Sequence, residues 1–184
     1  MNKITEENRD IFCELILKYN RVHNITGAKD RKSVIENIED SLYPIRFLAL
    51  EEIKTAIDIG TGAGFPGLIL AMALPNIHFT LFEPIAKKSS FLHLIKTTLA
   101  LKNVTISTKR VEQAKASKTD LISSRAVTNT DMLIELCKEY IAPETVLLFY
   151  KGERVVDEVT NLKNYKIYKN KKRNYLIIKD VHIC

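Results

Sequence analysis

The spacing of hydrophobic residues changes near residue 50 of the chain. Over residues 6–20, apolar side chains recur every three or four positions, which predicts an amphipathic helix with Thr5 as its cap. The same spacing predicts a second helix from about Ser33 to near Pro44. After Thr55, short apolar runs alternate with longer helical patterns, and this alternation predicts a mostly parallel sheet with helices on both faces.

Seven short runs of apolar or alternating residues predict the strands of this sheet. The first five alternate with helical segments and are expected to be parallel. The last two are joined by a short basic turn with no room for a crossover helix, so we expect an antiparallel hairpin at one end of the sheet. The predicted strands are residues 55–59, 78–82, 104–107, 120–123, 145–150, 165–168 and 175–179.

A chain of 184 residues with 46% hydrophobic residues fits a single domain with a real core. We divide it into an N-terminal helical cap, residues 1–50, and an α/β core, residues 51–184. The fold class predicted from the pattern is therefore α/β, with a mostly parallel seven-stranded sheet and a C-terminal antiparallel hairpin.

A glycine-rich segment joins the first predicted strand to the next helix. Residues 58–64 of this segment are Asp-Ile-Gly-Thr-Gly-Ala-Gly. In an open α/β sheet, ligands bind beyond the carboxyl ends of the strands, and glycine lets a ligand approach the backbone because it has no Cβ. We therefore predict that this loop binds a cofactor that contains adenosine, and a tight turn without a ligand is the alternative.

Two classes of cofactor fit the loop. The glycines at 62, 64 and 67 also match the dinucleotide pattern G-x-G-x-x-G, so a nicotinamide cofactor is the rival. Asp58 favours S-adenosylmethionine, because a carboxylate there would repel a pyrophosphate, whereas it can attract a sulfonium and an ammonium or orient the loop. Glu83 ends the second strand, 21 residues after Gly62, where it can accept both ribose hydroxyls of either cofactor.

Basic residues follow several of the predicted strands. The formal net charge of +6 suits a polyanionic partner such as RNA. Because the carboxyl ends of parallel strands share one edge of a sheet, these residues should lie on the same rim as the cofactor, where an RNA phosphate or base would dock. Arg125 is the most specific of them, since it directly follows a buried strand. The others are Lys87, Lys88, Lys109, Arg110, Lys169, Lys171, Lys172 and Arg173.

Several classes of protein are disfavoured by what the chain lacks. Its three cysteines and four histidines have no metal-ligand spacing, and no Ser-His-Asp or Cys-His arrangement is recognisable. The longest apolar run, Leu68 to Leu74, is too short to cross a bilayer, and the N-terminus has no apolar signal region. We expect a cytoplasmic monomer that needs neither a metal nor a membrane.

Separate motifs in a fixed order resemble the RsmG (GidB) family of bacterial 16S ribosomal RNA guanine-N7 methyltransferases. The stretch at residues 57–67, Ile-Asp-Ile-Gly-Thr-Gly-Ala-Gly-Phe-Pro-Gly, looks like the family's cofactor loop. Four shorter stretches support it, at residues 19–26, 39–41, 124–126 and 150–152. The resemblance covers roughly residues 15–180. It implies a class I methyltransferase fold, S-adenosylmethionine as cofactor, and 16S rRNA or the 30S subunit as partner.

The resemblance also implies roles for individual residues. Arg125 would position the substrate, and no general base is expected because guanine N7 already carries a lone pair. Arg110, Lys151 and Arg173 match basic positions of the family, and together with the pattern of basic residues they give the predicted RNA contacts Lys87, Lys88, Arg110, Lys151, Lys172 and Arg173. Together with the loop argument, the cofactor contacts would be Asp58, Gly60, Gly62, Gly64, Phe65, Glu83, Val111, Glu112 and Arg125.

Two features depart from the family pattern. The helical region before Tyr19 is short for the family, and Asn37 stands where relatives often have histidine. Other activities fit the loop as well: methyl transfer to another RNA, a protein or a small molecule, then nicotinamide-dependent oxidation or RNA binding without catalysis.

Overall fold

The computed structural model describes residues 4–160, 162–171 and 173–181. Its strands form a single seven-stranded sheet in the order β3-β2-β1-β4-β5-β7-β6. This confirms the predicted α/β class. The strands are β1 (Thr55–Ile59), β2 (His78–Phe82), β3 (Val104–Ser107), β4 (Thr119–Arg125), β5 (Ile141–Lys151), β6 (Tyr165–Asn170) and β7 (Arg173–Ile178).

Strands β1 to β5 are parallel, and the C-terminal pair is antiparallel as predicted. The second strand of the hairpin, β7, lies inside and pairs antiparallel with β5, which leaves β6 at the edge. The order of the strands reverses between β1 and β4. In open α/β sheets this reversal leaves a crevice beyond the carboxyl ends of the strands, where ligands bind.

The helices cover the two faces of the sheet unequally. Four helices pack on the face that carries Ala56 and Leu148, whereas the opposite face, which carries Ile57 and Leu147, is covered by one helix and three short 3-10 helices. Neighbouring strand residues contribute to opposite faces because strand side chains alternate. The helices are α1 (Glu6–His23), α2 (Arg31–Leu42), α3 (Gly67–Ala73) and α4 (Ala86–Thr98) on the first face, and α5 (Thr130–Cys137) on the second.

The N-terminal helices share the core of the sheet. Phe12 of α1 meets Phe65 edge to face, with ring centroids 5.6 Å apart, and lies 6.2 Å from the ring of Phe91 in α4. Both α1 and α2 are capped: Thr5 accepts a hydrogen bond from the Asn8 N–H, and Asp30 forms a capping box with Ser33. The cap at Asp30 explains why α2 begins at Arg31, two residues before its predicted start.

The loop between α1 and α2 is held by one side chain. The Asn20 carboxamide accepts hydrogen bonds from the backbone N–H groups of Ile25 and Thr26, and it donates to the carbonyls of Thr26 and Ala28. Helix α1 therefore runs to His23, beyond its predicted end, and the loop is short. Within the described residues, no helix is both long and apolar enough to cross a membrane.

Strand β4 extends beyond its predicted end because its polar residues have partners in β1. Ser123 and Ser124 donate their hydroxyls to Asp58 and to the carbonyl of Ile59, at 2.6 and 3.0 Å. The strand continues to Arg125, which pairs with Tyr150 of β5. A run of polar residues at the end of a strand therefore marks internal hydrogen bonding here, and Arg125 is part of the sheet.

Helix α3 docks on β1 through a buried carboxylate. Gly67, the first residue of the helix, donates its N–H to Oδ2 of Asp58 at 2.9 Å. A Cβ on Gly67 would stand 2.5 Å from that oxygen and 2.6 Å from a methyl group of Leu81. The helix can approach the sheet this closely only because residue 67 has no side chain.

Replacing Gly67 by alanine should destabilise the fold by roughly 1–3 kcal/mol, because the added methyl group overpacks a closed site. Urea unfolding measures the effect. The matched control is Gly27→Ala, since no heavy atom lies within 4 Å of the place that its Cβ would take. Equal stability of the two variants would show that α3 can move away from Asp58 without cost.

Candidate cofactor and substrate site

A cavity of about 500 Å³ opens beyond the carboxyl ends of β1, β2 and β4. It is bounded by the glycine loop, by residues 82–85 after β2, by residues 110–112 after β3 and by residues 125–127 after β4. Ile25 and Thr26 of the N-terminal cap close another side. This is the position at which open α/β sheets bind ligands.

Gly62 and Gly64 are needed for different reasons. Gly62 lines the cavity and has a φ of 60°, in the left-handed region that favours glycine. A Cβ there would stand in open space, with the nearest atom 3.9 Å away, so its backbone conformation is the reason for a glycine. Gly64 has a φ of 99°, but its Cβ would stand 2.9 Å from Cβ of Leu68, and it does not line the cavity. The cofactor contact of Gly64 stays a prediction, and the role that the geometry gives this glycine is to let the loop pack against α3.

Asp58 lies beneath the loop and does not line the cavity. Burial raises the pKa of Asp58 to about 6, although the Ser123 hydroxyl and the Gly67 N–H lower it in part. Of the two predicted roles, this position favours the second, in which Asp58 orients the loop, because the carboxylate is shielded from the cavity.

The N-terminus of α3 offers no free N–H to a phosphate. The first residue, Gly67, donates to Asp58, both Leu68 and Ile69 donate to the carbonyl of Gly64, and Leu70 donates to that of Pro66. A dinucleotide places its pyrophosphate on such free N–H groups. A dinucleotide is therefore disfavoured, but for a reason other than the predicted repulsion of its pyrophosphate. The Asp58 carboxylate occupies the helix terminus, where a pyrophosphate would otherwise bind.

Glu83 is buried at the end of β2 and lines the cavity. Its two carboxylate oxygens accept the N–H groups of Gly62 and Ile85, both at 2.9 Å. Each oxygen of a carboxylate has two lone pairs, so one on each remains for a ligand hydroxyl. Glu83 can therefore fix the loop and bind a ribose at the same time.

The hydroxyl of Thr61 is buried beside Asp58 and lowers the pKa of that carboxyl in part. The predicted cofactor residues that line the cavity are Gly60, Gly62, Phe65, Glu83, Val111, Glu112 and Arg125.

Arg125 connects the cavity to the N-terminal cap. Its Nη1 donates to Oδ1 of Asn37 at 3.0 Å and to Oδ2 of Asp40 at 3.1 Å, and its guanidinium lies 5.1 Å from the ring centroid of Phe65. Asn37 was noted as a departure from the family pattern, and its side-chain oxygen provides an acceptor for this arginine.

Asp40 is a central residue that the sequence reasoning did not single out. Besides Arg125, its carboxylate accepts hydrogen bonds from Nε of Arg173 at 3.3 Å and from the Tyr175 hydroxyl at 2.8 Å. One carboxylate of α2 thus holds side chains from β4 and β7. The only signal in the sequence was the resemblance of residues 39–41, which named no role.

The predicted RNA contacts fall into different environments. Lys88 and Arg110 line the cavity, and Lys87 is exposed beside it. Lys151 is only 6% exposed, and its ammonium bonds internally to the Thr128 carbonyl and to Glu158, so it is not a free cation of the outer surface. Arg173 is partly exposed, and Lys172 lies outside the described residues.

Within the residues that the structure describes, no group of three or more His, Cys, Asp or Glu side chains is arranged to hold a metal ion. Cys13 and Cys137 are both free and buried in helices.

The raised pKa of Asp58 makes the fold sensitive to pH. In the folded chain the carboxyl holds its proton up to about pH 6, whereas its ordinary pKa is 3.8. Between these values the folded state binds more protons than the unfolded state, so stability falls as pH rises through this window. The advantage of the wild type over Asp58→Asn should shrink by on the order of 2 kcal/mol between about pH 4 and pH 7. Urea unfolding at four pH values tests this, and a constant difference would contradict it.

Comparison with known proteins identifies the family of the chain. A family model described as GidB, rRNA small subunit methyltransferase G, matches residues 5–183. A ribosomal RNA small subunit methyltransferase G from Wolinella succinogenes is 50% identical over 92% of this chain and 87% of its own length. One from Aliarcobacter butzleri is 46% identical over 94% of this chain and 89% of its own.

A solved structure shares the fold at low identity. The SAM-dependent O-methyltransferase from Thermotoga maritima has a TM-score of 0.65 and 14% identity, over 79% of this chain and 66% of that one. The chain thus has the class I methyltransferase fold, and the match from residue 5 extends the resemblance through the N-terminal helix. The chain belongs to the GidB family of rRNA small subunit methyltransferases.

Proposed function

We propose that this chain transfers a methyl group from S-adenosylmethionine to N7 of a guanine in 16S rRNA of the small ribosomal subunit. The observation that carries the choice of cofactor is the closed N-terminus of α3, whose first four N–H groups all have partners inside the chain. A phosphate-free adenosine cofactor fits such a loop, whereas a dinucleotide does not. The RNA is supported by the family's description as methyltransferases of small-subunit rRNA.

The cavity suggests how the cofactor would lie in it. Glu83, at the end of β2, would accept the ribose hydroxyls, and Val111, buried after β3, would pack against the adenine ring. The amino-acid end would then extend across the glycine loop toward Phe65 and Arg125 at the end of β4. This direction leads from the β3 side of the sheet to the β5 side.

The choice of N7 agrees with the residues around the cavity. When bound, S-adenosylmethionine supplies a methyl group whose bond to sulfur breaks as the bond to N7 forms, so the positive charge passes from sulfur to the base. N7 has a free lone pair in the plane of the ring, so no proton has to be removed. No histidine lines the cavity, and two of its ionisable groups, the buried Glu83 and the partly buried Arg125, are held by internal hydrogen bonds.

The chain's contribution is therefore alignment and exclusion of water. The cap supplies part of it, because Asn20 holds Ile25 and Thr26 against one side of the cavity. Arg125 would position the substrate side, since it lies between the cap and the end of β4. Lys88 and Arg110 line the cavity, where they would meet phosphates of the RNA.

Glu83→Gln should weaken S-adenosylmethionine binding roughly tenfold or more, because an amide turns one of two acceptor atoms into a donor that faces a backbone N–H. Calorimetry measures the dissociation constant. Glu144→Gln is the matched control, since Glu144 is exposed at the start of β5, far along the strand from the cavity end. An unchanged affinity in Glu83→Gln would remove Glu83 from the cofactor site.

The reaction itself is tested with methyl-labelled S-adenosylmethionine and small subunits from a strain that lacks this protein. We expect label in 16S rRNA, at a guanine that becomes sensitive to reduction and aniline cleavage, as N7-methylguanine is. Label in protein or in another RNA, or no transfer, would contradict the proposal.

Arg125→Ala should reduce the transfer at least tenfold, roughly the effect of misplacing a positioned group.

The Arg125 variant requires a control for folding, because removing the guanidinium leaves Asp40 with fewer partners. Arg125→Lys keeps the charge but replaces the planar guanidinium, whose Nη1 donates to both Asn37 and Asp40, by a compact ammonium on a flexible stem. We expect the Arg125→Lys variant to have a melting temperature near that of the wild type. Its methyl-transfer activity should lie between that of the wild type and that of Arg125→Ala. Full activity in Arg125→Ala would exclude Arg125 from the site.

A further inference from the structure

A second, smaller cavity of about 180 Å³ adjoins the first one. The two share Ala126, directly after β4. The second cavity lies over the carboxyl ends of β4 and β5, which is the side toward which the methyl-donating end of the cofactor would point. Its polar lining comes from Ser124, Thr128, Lys151, Glu158 and Arg173. Neither the proposed cofactor site nor the fold uses all the polar groups of this lining.

Glu158 presents one oxygen to the protein and leaves the other free. Oε2 accepts three hydrogen bonds, from Nζ of Lys151 at 2.7 Å and from the N–H and the hydroxyl of Thr130 at 2.8 Å each. No described residue donates to Oε1, and the side chain is 27% exposed. Burial alone would raise the pKa of Glu158, but the hydrogen bonds from Lys151 and Thr130 outweigh it and lower that pKa, so the group is a carboxylate at neutral pH.

Donors lie beside this free acceptor. Lys151 uses two of its three N–H groups, on Thr128 and Glu158, which leaves one. Arg173 binds Asp40 through Nε, and its terminal nitrogens donate to no acceptor among the described residues. The cavity therefore combines one negative acceptor with positive donors next to it.

This arrangement matches the edge of a guanine. Around the ring, N7 and O6 are acceptors, and N1–H and the N2 amino group are adjacent donors. With N7 turned toward the first cavity, O6 comes next and would meet Lys151 or Arg173, and the N1–H and N2 donors would meet Oε1 of Glu158. Adenine presents an amino group where guanine has O6, so the same donors would reject it.

We propose that Glu158 recognises the acceptor base, by accepting hydrogen bonds from the N1–H and N2 amino groups of the guanine whose N7 receives the methyl group. This inference rests on the proposed function and names its base-reading residue. Its charge has a second consequence. Methylation at N7 leaves the ring with an added positive charge, and a fixed carboxylate at its edge stabilises that charge as it develops.

Glu158→Gln separates recognition from folding. The oxygen that faces Lys151 and Thr130 must remain an acceptor for three donors, so the amide oxygen takes that position and the NH₂ group faces the cavity. The internal hydrogen bonds are then kept, but the base-facing acceptor becomes a donor. Affinity for S-adenosylmethionine and the melting temperature should stay close to those of the wild type.

The experiment compares guanine with inosine, which lacks only the N2 amino group. Small subunits are rebuilt from 16S RNA that carries either base at the position that the wild-type protein methylates. We expect the wild type to prefer guanine roughly tenfold. Glu158→Gln should methylate both slowly, with a preference near one.

The controls are Glu153→Gln, an exposed glutamate of the same segment, and Thr130→Val, which perturbs Glu158 but keeps its carboxylate. Both should keep the wild-type preference.

Each outcome decides a separate point. A Glu158→Gln protein that keeps the tenfold preference, or a wild type without one, would overturn the assignment of Glu158 while methyl transfer itself stands. Loss of the preference in Thr130→Val as well as in Glu158→Gln would overturn it in favour of a structural role. Absence of any transfer by the wild type would instead contradict the proposed function on which the assignment rests.

Discussion

The structure depends on one buried carboxylate, that of Asp58. It receives the N–H of Gly67 and the hydroxyl of Ser123, and so it joins β1, the first turn of α3 and β4 at a single point. A buried charge with a broken partner is strongly destabilising, so all three elements are constrained together. The glycine loop runs over this point, and its shape follows from it. The closed helix terminus, on which the proposed choice of a cofactor without phosphates rests, is therefore a by-product of the same contact that sets the fold.

A second carboxylate, that of Asp40, extends this constraint to the cap. It holds Arg125 from β4 and both Arg173 and Tyr175 from β7, while Tyr150 of β5 donates its hydroxyl to the neighbouring Ser41 carbonyl. The cap is thus bound at the edge of the sheet where the two cavities meet. Because two guanidiniums share one carboxylate, positive charge remains on this rim, as a partner that carries phosphates requires.

The sequence predicted the elements and the position of the site, because hydrophobic periodicity and glycines report local structure directly. It did not predict which polar residues face inward. Asp58 and Lys151 look like ligand-facing charges in the sequence, yet their partners, Ser123 and Glu158, are 65 and 7 residues away along the chain. Gly64 looked like its neighbour Gly62, and only the approach of Leu68 distinguishes them. Such pairings are set by tertiary contacts, which a single sequence does not contain.

The same distinction explains why Glu158 carries no sequence signal. Glu158 follows a 3-10 helix and belongs to no motif. Its role depends on Lys151, whose burial is tolerated because Glu158 neutralises its charge. Lys151 and Glu158 form a pair that is balanced in charge but incomplete in hydrogen bonding. The buried lysine has one N–H without an acceptor, and the carboxylate has one oxygen without a donor. A neutral ligand with an acceptor next to donors completes such a pair without adding charge. A guanine base meets this condition and a phosphate does not, so a guanine is the proposed ligand of the second cavity and the RNA backbone that of the basic groups of the first.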